Sequence, residues 1–474
     1  MITCDLAVIG GGIAGLAAAW RGRELGLRTV IFEAARTLGG KMRSERRDGY
    51  LIEYGPSSFL GSAAPLWHLI NGCGLADAVV QAQKPNHRYI YRERSARRLP
   101  TGPLSLLTGD YLSMAGKLRL LAEPLVLGHA QSTDTAWTFA KRRLGEEAAR
   151  YLLTPFVSGV YAGDVERLGA KDAFPKLWNW ERRGGSMVIG ALTTPADSPT
   201  VNGPVPRRGT FSLRDGLGSL PRAVVAALPK DIVRFSSPVE SIERTATGWL
   251  VRPHAHLATD KRSVVARNVV VALPAHSAAE LLAQVCPSVA RTLAQVVSVR
   301  VAVVHFGGPD PQGVAPRGFG VLIPPGEGLR TLGILFPSSI FAGRAPTGHY
   351  LHTGFLGGAN DPEAADLSDE SLVAHVVRAR ANAFPKVAAQ LLEPTFFDVV
   401  RWREAIPQYL VGHRDRMTAA LSLLSSQCPG LALAGSYVAG VSMADSAGSG
   451  ANAVEIALSA TAEASPTEAR GGPI

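Results

Sequence analysis

Short apolar runs closed by glycine, proline or an acid recur along this chain. Leu6-Ala7-Val8-Ile9 is uninterrupted and ends at Gly10. Arg28-Thr29-Val30-Ile31-Phe32 ends at Glu33, "NVVVALPAHS" (268–277) runs into a proline turn, and "LALAG" (431–435) closes on glycine. Runs that are apolar at every position, rather than at alternate ones, predict parallel strands covered on both faces. Between the first two runs, residues 13–25 (IAGLAAAWRGREL) keep small side chains where a helix must press on a sheet. Strand, glycine turn and helix return in that order over 431–458. The pattern predicts an α/β fold of strand and helix units.

The first strand–helix junction carries chemistry. The turn Gly10-Gly11-Gly12-Ile13-Ala14-Gly15 has G-x-G-x-x-G spacing. Gly10 allows the tight turn, Gly12 lets a phosphate approach the backbone, and Gly15 lets helix meet strand, so that helix N–H groups face a pyrophosphate. Glu33, followed by Ala34, ends the second strand about twenty residues on, where an acid accepts from ribose hydroxyls and disfavours a 2′-phosphate. A dinucleotide site is expected here.

Composition narrows the class. The chain has 474 residues, 46 % hydrophobic and 19 % charged, with 50 glycines and 32 prolines, which is globular and long enough for two or three domains. The net charge of +10 admits an anionic substrate or an acidic membrane surface, but no basic block with interleaved aromatics points to nucleic acid. Cys4, Cys73, Cys286 and Cys428 form no CxxC pair, which argues against a disulfide framework or a cysteine metal site. No metal site is expected. The turn starts too early to leave room for a signal peptide, and no apolar run reaches the roughly 18 residues of a spanning helix. A cytoplasmic protein, in peripheral contact with the membrane at most, is expected.

"EAARTLGGKMRS", directly after the second strand, resembles the LGG-(K/R) stretch of the flavoprotein oxidase superfamily, which includes amine oxidases, phytoene desaturases and protoporphyrinogen oxidases. "YGPSSFL" (54–60) resembles the loop beneath their flavin, "SSPVESIER" (236–244) the stretch that meets adenine, and 431–458 their C-terminal flavin segment. The resemblance implies non-covalent FAD, held by the glycine turn, Glu33 and Ala34, and by Lys41, Gly55, Pro56, Ser57, Ser58, Val239, Ser436, Val441, Ser442 and Met443. A last helix starting there would set its positive end against reduced flavin.

"FVSGVYAGDVERLGA" (156–170), "GTFSLRDGLGSLPRAV" (209–224), "GFGVLIP" (318–324), "FPSSIFAGRAP" (336–346) and "WREAIPQYLVGH" (402–413) resemble the protoporphyrinogen oxidase family in particular, in family order. That implies a discontinuous Rossmann-like FAD-binding domain (1–85, 205–275, 425–465) and an α+β substrate domain (86–100, 276–424). It also implies a helical membrane-contacting domain (101–204), with a loose tail at 466–474. It implies oxidation of a porphyrinogen, oxygen as acceptor, and a homodimer. Arg88 matches the arginine that meets a propionate, and Gly159, Phe319, Gly320 and Leu322 match the lining of the substrate slot. No catalytic side chain beyond the flavin is nominated. On residue type alone, Arg88 also reads as a solvated charge beside Arg92, Arg94, Arg97 and Arg98, Leu322 as core, and Gly159 as a turn glycine. Asp164 reads as a turn or cap and His413 as a structural hydrogen-bonder.

The C-terminal signature departs from the family pattern at Ser436 and over Ser442–Ser446. "SSFLGSAAPLW" (57–67) has no basic residue where tetracarboxylate-specific relatives carry several, which favours protoporphyrinogen over coproporphyrinogen. Lys117 and Arg119 among the leucines of 104–128 read as an interfacial helix pair or as a packed wall. Rival readings are an oxidase of amines or of a specialised tetrapyrrole-like metabolite, and a flavin-free chaperone of the same fold.

Overall fold

The computed structural model describes residues 2–85, 87–100, 102–194 and 208–464; the tail expected over 466–474 lies outside the described residues. The strand Ile2–Ile9 lies between Thr29–Phe32 and Val264–Val271 and runs parallel to both, with Ile9 opposite Phe32 and Val271. Val233–Arg234 extends one edge, Leu431–Leu433 joins Val264–Val271 in parallel, and the antiparallel pair Gly248–Pro253 and Val239–Thr245 completes seven strands.

Side-chain alternation divides this sheet's strands between two cores. Leu6 and Val8 pack with the first helix, Ile13–Glu24, and the last, Met443–Ala464. Ala7 and Ile9 point the other way, onto helices Ala275–Leu282, Pro287–Ala294 and His413–Gln427. Although 276–424 reads in the sequence as one substrate portion, these three helices cover the dinucleotide sheet.

A second seven-stranded sheet runs in the order Phe396–Pro407, Ser298–Pro309, His349–Gly357, Thr331–Leu335, Gly320–Leu322, Arg88–Arg92, Ser95–Arg98. Its one parallel pairing sets Gly320 beside Arg88 and Leu322 beside Ile90. Helix Asp369–Ala383 covers one face through Leu372, Val376, Ala379 and Ala383.

The third part is a helical wall. Helix Ala136–Leu144 leads through a wide π turn, Ala149–Leu153, into Thr154–Tyr161, and Pro175–Gly184 and Met187–Thr193 follow. Fully buried Arg143 donates to Glu181 and to the carbonyls of Val126, Gly128 and Gly185. Lys117 and Arg119 turn inward, onto the carbonyl of Leu107 and those of Arg142 and Arg143. The charges counted on for an interfacial helix pair therefore do not face outward; Met114, Leu118, Leu121, Leu125 and Leu127 do.

Candidate flavin and substrate site

The glycine turn is built as its spacing requires. A Cβ on Gly10 (φ +106°) would stand 2.6 Å from the Ala272 carbonyl oxygen, and one on Gly15 would strike the Gly10 carbonyl oxygen at 1.8 Å. A Cβ on Gly12 would meet nothing within 4 Å. Gly12 starts the first helix without a side-chain cap, and no acid sits in its first turn. That combination leaves an open, electropositive helix start of the kind that receives a phosphate.

Glu33 is tied to this turn. One carboxylate oxygen accepts the Gly11 N–H at 2.8 Å and the other the Ala35 N–H at 2.7 Å. Lone pairs remain on both oxygens for ribose hydroxyls. The stretch that leads into Val239 lies alongside, because the Ser237 N–H donates to the Glu33 carbonyl at 2.8 Å and the Ser236 N–H to that of Ala35 at 3.0 Å. The Gly39 N–H reaches the Gly11 carbonyl at 2.8 Å, bringing the LGG-K turn over the first glycines.

Lys41 bonds across to the substrate sheet. Its ammonium donates to the carbonyls of Glu404 and Ala405, the latter at 2.6 Å, and burial pushes it down to about 8. It clamps the flavin-side turn to the end of the substrate sheet. The loop Gly55-Pro56-Ser57-Ser58 lies against it, for a Cβ on Gly55 would sit 2.2 Å from the Lys41 carbonyl oxygen. Trp402 donates to the Tyr54 carbonyl at 2.7 Å, a second clamp on the same loop.

At the C-terminal segment, Ser436 presents its carbonyl to the Tyr409 hydroxyl at 2.6 Å, and Val441 packs beside Tyr161 and Tyr409. Met443 opens the last helix and packs on the same core as Ile13 and Leu38. Gly450 permits the close approach of first and last helices, since a Cβ there would lie 1.9 Å from the Ala14 carbonyl oxygen. Ser442 caps this helix by accepting the Asp445 N–H at 3.0 Å and donating to its carboxylate at 2.6 Å. The S-x-x-D spacing signals that cap in the sequence. An acid in the first turn offsets part of the helix's positive end.

The residues expected to line the slot converge from three parts of the chain. Gly159, on helix Thr154–Tyr161, faces Leu322, and a Cβ on it would lie 2.6 Å from Leu322 Cδ2. Leu322 packs with Ile90, Tyr111 and Tyr151. Arg88, exposed at the start of its strand, holds its guanidinium carbon 5.0 Å from the Phe319 ring centroid. Among the described residues it has no carboxylate partner. Gly320 (φ +156°) owes its bareness to the sheet, because a Cβ there would stand 2.4 Å from the Ile334 carbonyl oxygen.

Asp164 accepts the Glu166 N–H at 2.8 Å within a turn, and buried His413 bonds the Tyr437 carbonyl at 2.8 Å, so both have structural partners. No group of three or more His, Cys, Asp or Glu among the described residues is placed to hold a metal ion. Sequence reasoning missed Glu53, Ser212 and Arg344, which support the loop at 54–58 from behind; no local motif marks them.

A seven-stranded sheet with an open glycine turn, an acid bonded to that turn, and a second sheet clamped to the loop at 54–58 fit the FAD-dependent oxidoreductases. The family model described as flavin-containing amine oxidoreductase matches residues 13–458, and the chain belongs to that family. Mitochondrial protoporphyrinogen oxidase from Nicotiana tabacum is 31 % identical over 483 residues, covering 96 % of this chain and 94 % of the relative. Coproporphyrinogen III oxidase from Propionibacterium freudenreichii is 30 % identical over 505 residues, covering 98 % and 92 %. Among solved structures, a candidate protoporphyrinogen oxidase from Exiguobacterium sp. 255-15 matches with TM-score 0.79 at 24 % identity, covering 98 % of this chain and 99 % of that one. Cyclohexylamine oxidase from Brevibacterium oxydans matches with TM-score 0.70 at 19 % identity, covering 97 % and 99 %. These two likenesses establish the fold.

Proposed function

We propose that this protein oxidises a porphyrinogen to the porphyrin with FAD, and that protoporphyrinogen is its substrate. The observation that carries the reading is a juxtaposition: Arg88, steadied on Phe319, stands on the strand beside Gly320, and Leu322 of the neighbouring strand lies against the bare backbone of Gly159. A flat, apolar macrocycle with carboxylate arms needs those features. Similarity to full-length porphyrinogen oxidases supports it.

The open turn at Gly12 and the doubly anchored Glu33 fit a dinucleotide's pyrophosphate and ribose. Bound FAD would supply the six-electron oxidation in three two-electron rounds, with oxygen as the final acceptor in each. The chain's own residues bind, orient and exclude water. Arg88 grips a propionate, as guanidinium matches carboxylate in two parallel bonds. Leu322, Ile90 and Tyr151 keep the slot dry. Lys41 and Trp402 hold the flavin loop against the substrate sheet.

The absence of basic residues over 57–67 favours two propionates over four. Coproporphyrinogen is the second reading, supported by the 30 % identical relative. Purified protein is mixed with each porphyrinogen while porphyrin fluorescence and oxygen uptake are followed. Faster protoporphyrinogen turnover supports the proposal; preference for coproporphyrinogen reverses the substrate, and inertness with both refutes the reaction.

Membrane contact belongs to the same reading. No helix among the described residues is long and apolar enough to cross a bilayer. Leu118, Leu121, Leu125 and Leu127 are 60 %, 49 %, 81 % and 92 % exposed, an apolar face suited to lie on lipid. Changing these four to serine abolishes vesicle co-sedimentation if that face is the contact. A homodimer in the cytoplasm completes the reading and is tested by light scattering.

A further inference from the structure

Behind the flavin loop runs a buried polar chain that neither the glycine turn nor the substrate slot uses. Arg344, 2 % exposed, comes from the substrate sheet's connection between Pro337–Ile340 and His349–Gly357. Among the described residues its carboxylate partner is Glu53, which lies 3.5 Å away and ends the strand that runs into Tyr54-Gly55-Pro56-Ser57-Ser58. Glu53 also accepts the Leu217 N–H at 2.9 Å and the Ser44 hydroxyl, which itself accepts the Gly218 N–H at 2.7 Å. Arg344 stacks 5.4 Å from the Phe341 ring centroid, which fixes the plane of its guanidinium.

The other end of that guanidinium reaches the loop. Arg344 donates to the Ser212 hydroxyl at 2.7 Å, and Ser212 donates to the Ser57 carbonyl at 2.9 Å. Ser212 is 0 % exposed, so no water competes. The direction is fixed, because arginine has only donors and a hydroxyl that accepts from it has one proton left to give. Since the peptide is planar, holding the Ser57 carbonyl inward turns the Ser58 N–H to the opposite side.

We propose that Arg344 is a positioning residue for the flavin loop, acting on the Ser57 carbonyl through Ser212 and held in place by Glu53. The inference rests on the reading that 54–58 meets the flavin. It makes a substrate-domain side chain a determinant of cofactor affinity. Glu53 is the chain's proton-sensitive end: burial pushes its carboxyl up to about 7, against the pull of Arg344, Ser44, the Leu217 N–H and Arg222. Arg46 and Asp215 face Arg344 with opposing effects. Ionised Glu53 pairs with Arg344; protonation removes that pairing and leaves the guanidinium to Ser212, the Leu213 carbonyl and Phe341.

The test uses FAD titration of the full-length apoprotein between pH 5.5 and 8.5, with thermal melting of each apoprotein. Ser212→Ala, the mildest cut, is expected to weaken FAD binding by about three- to ten-fold, the worth of one hydrogen bond, with unchanged melting. The unaltered protein is expected to bind FAD more weakly below about pH 7, and Glu53→Gln to hold the weaker value at every pH. Ser212→Ala binding FAD as tightly as the unaltered protein overturns the inference. So does an undiminished pH step in Glu53→Gln, or a fall in melting that tracks the loss of FAD, which marks a merely structural pair. These readouts involve no porphyrinogen, so they stand if the substrate assignment fails. An unaltered protein that binds no FAD refutes both readings.

Discussion

The Arg88 guanidinium carbon lies 5.0 Å from the Phe319 ring centroid, so the one cation assigned to the slot is steadied by an aromatic face rather than by an acid. A paired arginine would have to surrender its carboxylate before taking a propionate. An arginine on a ring keeps its hydrogen-bonding edge available. Arg88→Ala is expected to raise KM by about 10- to 150-fold, the worth of one charge-assisted hydrogen bond, and to leave the flavin spectrum unchanged. Phe319→Ala should raise it less. Steady-state kinetics on the FAD-loaded variants decides; an unchanged KM in Arg88→Ala removes it from the substrate's path.

Gly159 makes a second, steric prediction. A Cβ there would stand 2.6 Å from Leu322 Cδ2, the far end of a flexible side chain. Alanine should be tolerated because Leu322 can turn. Valine adds branches that Leu322 cannot avoid and should lower kcat/KM by about a hundredfold, of the size a misplaced substrate costs. Gly159→Val with Leu322→Ala should recover part of the loss. No recovery would mean that the two side chains do not share the slot.

Glu33 serves two masters. Removing its carboxylate leaves the N–H groups of Gly11 and Ala35 without their acceptor and takes away the partner proposed for the ribose. Glu33→Ala is expected to weaken FAD by about ten- to a hundredfold, on the scale of hydrogen bonds to a charged acceptor. Glu33→Gln, which keeps one acceptor oxygen, should fall between. Isothermal titration of the apoproteins measures both, and equal affinity for all three proteins would remove Glu33 from the cofactor site.

Acid stability turns on a histidine. His305 is 1 % exposed, bonded through Nδ1 to Thr353 Oγ1 at 2.9 Å, and burial pushes it down to about 3. A pKa depressed in the folded state gives stability that is complete above the unfolded value near 6.5 and is lost as pH falls toward 3. Over that window this histidine alone should cost about 1.4 kcal/mol per pH unit. His305→Leu should flatten the urea-unfolding free energy by that slope. A slope as steep as in the unaltered protein would assign the acid sensitivity elsewhere, with buried His352 the next candidate.

What was legible in the sequence is what is local. The glycine turn, its acid and the parallel strands announce themselves because spacing along one segment sets their geometry: Gly10 makes the tight turn and Gly15 the close approach of helix to strand. The slot was legible only through resemblance, since Gly159 and Leu322 meet across two domains. Lys41 shows the limit: nothing in the LGG-K turn announces that its ammonium donates to the carbonyls of Glu404 and Ala405, far along the chain. Lys117 and Arg119 fail in the same way, because composition says that charges are present and not which way they turn. Glu53 and Arg344 come from distant parts of the chain, and nothing near either one in sequence names its partner.

The strand carrying Arg88 pairs with Gly320–Leu322, and the dinucleotide sheet waits for Leu431–Leu433. A ribosome reading from the N-terminus therefore releases most of the molecule before either sheet can be finished. Ile2–Ile9 emerges long before Val264–Val271, the strand that is to lie beside it, and spends that interval as an apolar edge open to any other strand. Such long-range pairing folds slowly and passes through sticky, half-built forms. Yield in the cell should thus depend on chaperone supply and growth temperature as much as on the stability of the finished enzyme. Truncations that look like domain boundaries should give insoluble fragments rather than working parts.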